Sequence, residues 1–247
     1  MELVVLTFFV SLFASILSGI SGGGGAFILT PYYIFIGLSP QQAVATGKVG
    51  GLGVAGGSLI AFGGKGFVRK ELLLPLMLIT VCTSFLAAWL MPQVNAGIFQ
   101  TIIGILLIAA IPTLFINKAS LQPGKRSGRL IGAGFVLYIV ISLVQGIFGA
   151  GLAVLLTLNL MLFFGLGALE ANATKRVAQS VQSVLLFILL LLQGLVVIGH
   201  GIAAFLGSFI GSHVGSKLAI KKGDKFVKVV LAITMVISGV ALIAMAS

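Results

Sequence analysis

Residues 72–91, LLLPLMLITVCTSFLAAWLM, contain no charged side chain, and similar apolar runs recur at 97–116 and at 226–246, the last broken only by Lys228. A bilayer hydrocarbon core takes about 20 apolar residues to cross as a helix. In lipid every backbone polar group must be satisfied within the protein, which leaves helices and closed barrels. The alternating segments of about ten residues that mark a barrel are absent from this chain. An all-α polytopic membrane protein is therefore expected. Composition agrees, because only 8% of the 247 residues are charged where soluble domains carry about 25%. The opening stretch MELVVLTFFVSLFASILSG lacks a basic leader and runs straight into glycines, so it reads as a retained membrane element rather than a signal peptide.

The formal net charge of +11 could suggest nucleic acid, but in a membrane protein the first question is where the cations sit. Twelve fall in three connections: Lys65, Arg69 and Lys70; Lys118, Lys125, Arg126 and Arg129; and Lys217, Lys221, Lys222, Lys225 and Lys228. Short cytoplasmic loops collect Lys and Arg, so these connections are expected to share the cytoplasmic side, with the lipid bilayer and no nucleic acid as partner. The remaining cations are Lys48, Lys175 and Arg176. The single Cys82 provides neither a disulfide framework nor a metal cluster, and no metal or cofactor is expected.

The odd cations lie in near-copies, AVATGK at 43–48 and ANATKR at 171–176. A slide of 128 residues without gaps brings Gly23 onto Gly151, Phe35 onto Phe163, Thr46 onto Thr174 and Lys48 onto Arg176. The expected organisation is a first repeat over 1–117, a cytoplasmic linker over 118–128 and a second repeat over 129–247. Parity then constrains topology. Single crossings would put residues 125 and 221 on opposite sides, against the charge rule. The first element of each repeat, 3–37 and 130–166, is too long for one span and is broken by SGISGGGGA or QGIFGAG. If each is a Gly-broken helical hairpin that returns to its starting side, three transmembrane helices follow in each repeat. The repeats are then inverted, a recurring transporter plan.

The breaks and the cations suggest a binding site. The helix following a break presents free N–H groups and a positive dipole end, a ready place for an anion. In the first repeat the candidates are Ser21, Gly22, Gly23, Gly24 and Gly25; in the second they are Gly149 and Gly151, with Gln145 beside them. Tight helix packing through small residues is the alternative use of such glycines. Ser39, Pro40 and Gln42 read as an N-cap, a first-turn proline and a capping-box partner, which puts Lys48 roughly 12 Å inside its helix. From there it either snorkels to the interface or meets a ligand's charge. Thr46 and Thr174 offer hydroxyls nearby, Asn172 and Gln179 polar lining, and Arg176 the second cation. Lys175 is expected to point elsewhere, Glu170 is poorly spaced to pair with Lys175 or Arg176, and Tyr32, Tyr33 and Trp89 suit interfacial belts.

The segments GISGGGGAFILTPYYIFIGLSPQQAVATGK and GIFGAGLAVLLTLNLMLFFGLGALEANATKR resemble the sulfite exporter TauE/SafE family of membrane anion permeases, and the likeness covers nearly the whole chain. It implies a multi-pass protein of the cell membrane, the plasma membrane of a prokaryote, that transports sulfite, thiosulfate, sulfonates or related small anions by alternating access between the repeats. Two departures stand out: a second Gly cluster reduced to Gly-Ala-Gly, and Lys48 where a small or apolar residue is expected. Other readings stay open. An anion channel would use the same features, and an assembly factor would tolerate neutral residues at 48 and 176. GISG at 19–22 matches an intramembrane serine protease motif, with His200 or His213 as base; no catalytic residue is expected otherwise. A homo-oligomer is compatible with everything above.

Overall fold

The computed structural model describes residues 2–93, 128–148 and 152–246. The expected span at 97–116, nearly all of the linker over 118–128, Gly149 and Gly151 lie outside them. The described residues form eight α-helices and no strand: α1 (Glu2–Ser21), α2 (Ala26–Phe35), α3 (Pro40–Phe62), α4 (Lys70–Leu90), α5 (Gly128–Phe148), α6 (Ala153–Phe163), α7 (Ala168–Leu192) and α8 (Ile198–Ala246). A short 3₁₀ turn, Met91–Gln93, extends α4. Helices α1, α3, α4, α5 and α7 are each long and apolar enough to cross a membrane. The long α8 is two helical arms joined at Gly223, whose φ of 78° is a left-handed value that suits glycine.

The first hairpin is present. After α1 the chain doubles back so far that a Cβ on Gly25 would lie 2.6 Å from the Ala14 carbonyl oxygen. Ten residues of α2, about 15 Å, then bring Tyr32 to the start of α1. Its hydroxyl donates to the Leu3 carbonyl at 3.0 Å and lies 2.8 Å from Thr7 Oγ1. The N-terminus of α2 therefore opens beside the middle of α1. In the second hairpin α6 returns along α5, where Asn159 Nδ2 donates to the Gly134 carbonyl and Phe135 meets Phe164 edge-on.

Packing pairs helices across the halves. Helices α1 and α3 lie along α8, α5 and α7 lie along α4, and α3 crosses α7. Lipid supplies no hydrophobic drive between helices, so close backbone approach must do the work. Gly207, Gly211 and Gly215 of α8 accordingly sit against the carbonyls of Phe8, Leu12 and Ile16 of α1. Outward-facing side chains such as Phe13, Leu74 and Trp89, at 66%, 69% and 65% exposure, suit lipid. Trp89 is exposed, whereas Tyr33, also expected in an interfacial belt, is fully buried under α1 and α3.

Caps fix the helix starts. Ser39 Oγ accepts from the Gln42 N–H, and Gln42 Oε1 accepts from the Ser39 N–H, closing the expected capping box with Pro40 at the first position. At the start of α7 the Asp224 carboxylate accepts from the Ala168 and Leu169 N–H groups, each at 3.0 Å, which suits the positive end of a helix. Glu170 pairs with Arg69 at 2.7 Å rather than with Lys175 or Arg176. These contacts bring the basic connection at 65–70, the start of α7 and the basic stretch around Asp224 to one face of the bundle.

Candidate functional site

Lys48 on α3 and Arg176 on α7 are both buried, 7% and 5% exposed. Each crosses to the first helix of the opposite half. Lys48 Nζ donates to the Gln145 carbonyl in the last turn of α5 at 3.0 Å. Arg176 donates to the Ser18 carbonyl in the last turn of α1, and to Ser18 Oγ at 3.2 Å. Both contacts set a cation at the negative end of a helix dipole. Part of the counter-charge that sequence spacing could not supply therefore comes from backbone.

The threonines two positions earlier behave alike. Thr46 Oγ1 accepts from the Val197 N–H at 3.1 Å, and Thr174 Oγ1 accepts from the Arg69 N–H at 2.9 Å. Acceptors and donors are each 128 positions apart, the offset of the sequence repeat. Both hydroxyls are spent on holding loops, so they do not join a common site.

A cavity of about 60 Å³ lies between the halves, lined by Gly23, Gly25 and Ala26 at the first break, Ala153 at the start of α6, and Arg176 and Gln179 of α7. A second cavity of about 40 Å³ shares Ala26, Gly47, Gly51 and Gln145 with it and includes Lys48. The larger space holds about four waters, the scale of one small anion. Two helix N-termini and a guanidinium thus border one space. Gln179 Nε2 donates to Gln145 Oε1 at 3.0 Å, which leaves Gln179 Oε1 without a partner, and Arg176 Nε is likewise unpaired among the described residues. An orphaned buried polar atom costs about 1–3 kcal/mol and calls for an explanation such as a ligand.

Five of the expected residues line the larger cavity or its neighbour along with Arg176: Gly23, Gly25, Lys48, Gln145 and Gln179. Four others, Ser21, Gly22, Gly24 and Asn172, serve the break itself. Ser21 Oγ bridges the Leu17 and Gly23 carbonyls, Gly22 and Gly24 adopt φ of 84° and 93°, and Asn172 Nδ2 donates to the Gly19 and Ile20 carbonyls. Sequence reading passed over Ser15, Ser18, Gly47 and Ser183, which also line the larger cavity. Ser183 was recoverable, because Arg176, Gln179 and Ser183 fall at helical i, i+3 and i+7 spacing. Lys175 points away from Arg176 as expected, but it is fully buried and its ammonium binds the Gly22 and Ala153 carbonyls and Thr157 Oγ1. Among the described residues the two histidines bond elsewhere than to a serine: His200 Nδ1 lies 2.8 Å from Thr7 Oγ1 and His213 Nδ1 lies 3.2 Å from the Gly57 carbonyl oxygen.

The family model of the sulfite exporter TauE/SafE matches residues 7–242. The chain belongs to this family. Its relatives include a probable membrane transporter protein, ORF9, from Sinorhizobium sp, 30% identical over 98% of this chain and 93% of the relative. The probable membrane transporter protein YfcA of Escherichia coli K12 is 26% identical over 98% of this chain and 90% of its own. A probable membrane transporter protein of Haemophilus influenzae is 24% identical over 92% and 89%. No solved structure matches the chain. This TauE/SafE member is thus a multi-pass membrane transporter, and its buried cations and broken helices lie within the matched region.

Proposed function

We propose that this TauE/SafE transporter carries small sulfur-containing anions, such as sulfite or sulfonates, across the cell membrane by alternating access at the cavity between α1–α4 and α5–α8. The observation that carries the reading is Arg176, a buried guanidinium with an unpaired Nε on a cavity that also meets the starts of α2 and α6. A preorganised positive site of this kind favours an anion of any headgroup geometry. The family name supports sulfur oxyanions within that class.

Inverted repeats supply the moving parts. The matched bonds of Thr46 and Thr174, and the crossed bonds of Lys48 and Arg176, support two halves related by exchange about the cavity. Rocking one half against the other would open the site to either side in turn. The face holding Lys65, Arg69 and Lys70 is cytoplasmic on this reading, following the charge rule.

Proteoliposomes test it. Vesicles preloaded with unlabelled methanesulfonate or sulfite should accumulate the labelled anion by saturable exchange, and Arg176→Met should cut that exchange at least about tenfold. Flux that rises linearly with concentration and shows no exchange would indicate a channel. Absence of flux for every sulfur oxyanion, in protein shown to be folded, would remove the substrate class.

A further inference from the structure

The two halves differ at the position between the paired threonines and the paired cations. On α7 that position is Lys175, and 128 residues earlier on α3 it is Gly47. The correspondence holds in space as well as in sequence. Thr46 and Thr174 make matching bonds on one side of it, and on the other Lys48 and Arg176 each donate to a carbonyl in the last turn of the other half's first helix.

Lys175 fills its own place completely. It is 0% exposed, and its three ammonium protons have three acceptors: the Gly22 carbonyl, the Ala153 carbonyl at 2.8 Å and Thr157 Oγ1 at 2.6 Å. An ammonium offers three donors and no more. The counterparts of Ala153 and Thr157 under the same offset are Gly25 and Leu29. Gly25, Leu29 and Gly47 all line the 60 Å³ cavity. A Cβ placed on Gly47 would meet nothing nearer than Tyr33 Cε2 at 3.9 Å. In the first half, then, the space that the Lys175 side chain takes in the second half is cavity, and a leucine replaces the hydroxyl that held the ammonium.

We infer that Gly47 determines which anions fit. Of two equivalent half-sites, Lys175 closes one with its own side chain, and the ligand occupies the other, above Gly47. This inference rests on the anion reading and narrows it. The charged end of the ligand meets Arg176 and the helix starts. The cavity lining also includes Leu29, Val54 and Ala55, which suits a short apolar group. The ligand class is an oxyanion with a small alkyl tail, such as a short-chain sulfonate, whose tail lies over Gly47.

The test uses the purified full chain, with thermal stability read against methanesulfonate and sulfite. Ligands that bind only the folded state raise apparent stability by an amount that grows with the logarithm of their concentration over Kd. Wild type should be stabilised by methanesulfonate. Gly47→Ala should weaken methanesulfonate about tenfold and leave sulfite within about twofold, on the scale of one methyl group in an apolar pocket. Gly47→Leu should abolish stabilisation by methanesulfonate; if that variant does not fold, Gly47→Ala decides alone. Unchanged methanesulfonate affinity in the Gly47 variants overturns the size role and leaves the anion reading standing. Binding of sulfite without methanesulfonate to wild type overturns the alkyl tail. A wild type that no sulfur oxyanion stabilises overturns the anion reading, and this inference with it.

Discussion

Among the described residues three cations, Lys48, Lys175 and Arg176, are buried, and their roles separate by what each one touches. Lys48 and Arg176 each have one strand of contact to a helix end and border a cavity. Lys175 is saturated by three acceptors drawn from both hairpins. Lys175→Met would leave those buried acceptors unpaired, which costs about 1–3 kcal/mol, and should lower the melting temperature of the purified protein measurably. Glu170→Gln provides the contrast. Its pair with Arg69 is half open to solvent, at 28% and 52% side-chain exposure, and such pairs contribute about 0–1 kcal/mol. Its melting temperature should stay near that of wild type. The buried cations could be read from the sequence because a charge in an apolar run has few explanations. The difference between Lys175 and Arg176 could not. A helical wheel separates neighbours by direction, but it does not say that one direction holds the Gly22 carbonyl and the other a cavity. Gly47 was silent for the same reason, since a missing side chain gives no pattern.

At the scale of elements, the broken hairpins follow from glycine placement. The run 22–25 ends α1 and lets the chain double back, with positive φ at Gly22 and Gly24, and a Cβ at Gly23 would lie 2.7 Å from the Val154 nitrogen. These breaks were visible in the sequence because glycine clusters interrupt an otherwise continuous apolar period. The close pairing of α1 with α8 was not. Gly207, Gly211 and Gly215 of α8 face the α1 backbone, but glycine is so frequent here, with 34 residues, that spacing alone does not name the partner helix. Gly211→Leu should force α1 and α8 apart. Overpacking of that kind costs about 1–3 kcal/mol or more. The expected result is reduced yield of monodisperse protein in detergent, whereas Ile210→Ala, at an exposed position, should change little.

For the whole molecule, charge and parity lead to a topology in which the basic connections share one side. The basic connection at 65–70 meets the start of α7 through Arg69 and Glu170, and Asp224 within the basic stretch 217–228 caps the same helix. Single cysteines at residues 65, 125 and 221 on a Cys82→Ser background should therefore react with an impermeant thiol reagent from one side only. Labelling of 65 and 221 from opposite sides would contradict the hairpin geometry. The crossed reach of Lys48 and Arg176 lay beyond sequence, because it depends on which half's helix end each cation meets. That reach is also where the account is most exposed to test. The direct measurement is equilibrium binding of methanesulfonate and sulfite to wild type, Arg176→Met and Lys48→Met in detergent, at matched folded fraction. A charge pair at about 4 Å and an effective dielectric near 20 is worth about 4 kcal/mol before desolvation. Loss of either cation should accordingly weaken binding well beyond tenfold. Unchanged affinity in both variants would mean that the repeated cations only brace helix ends, and that the anion site lies elsewhere.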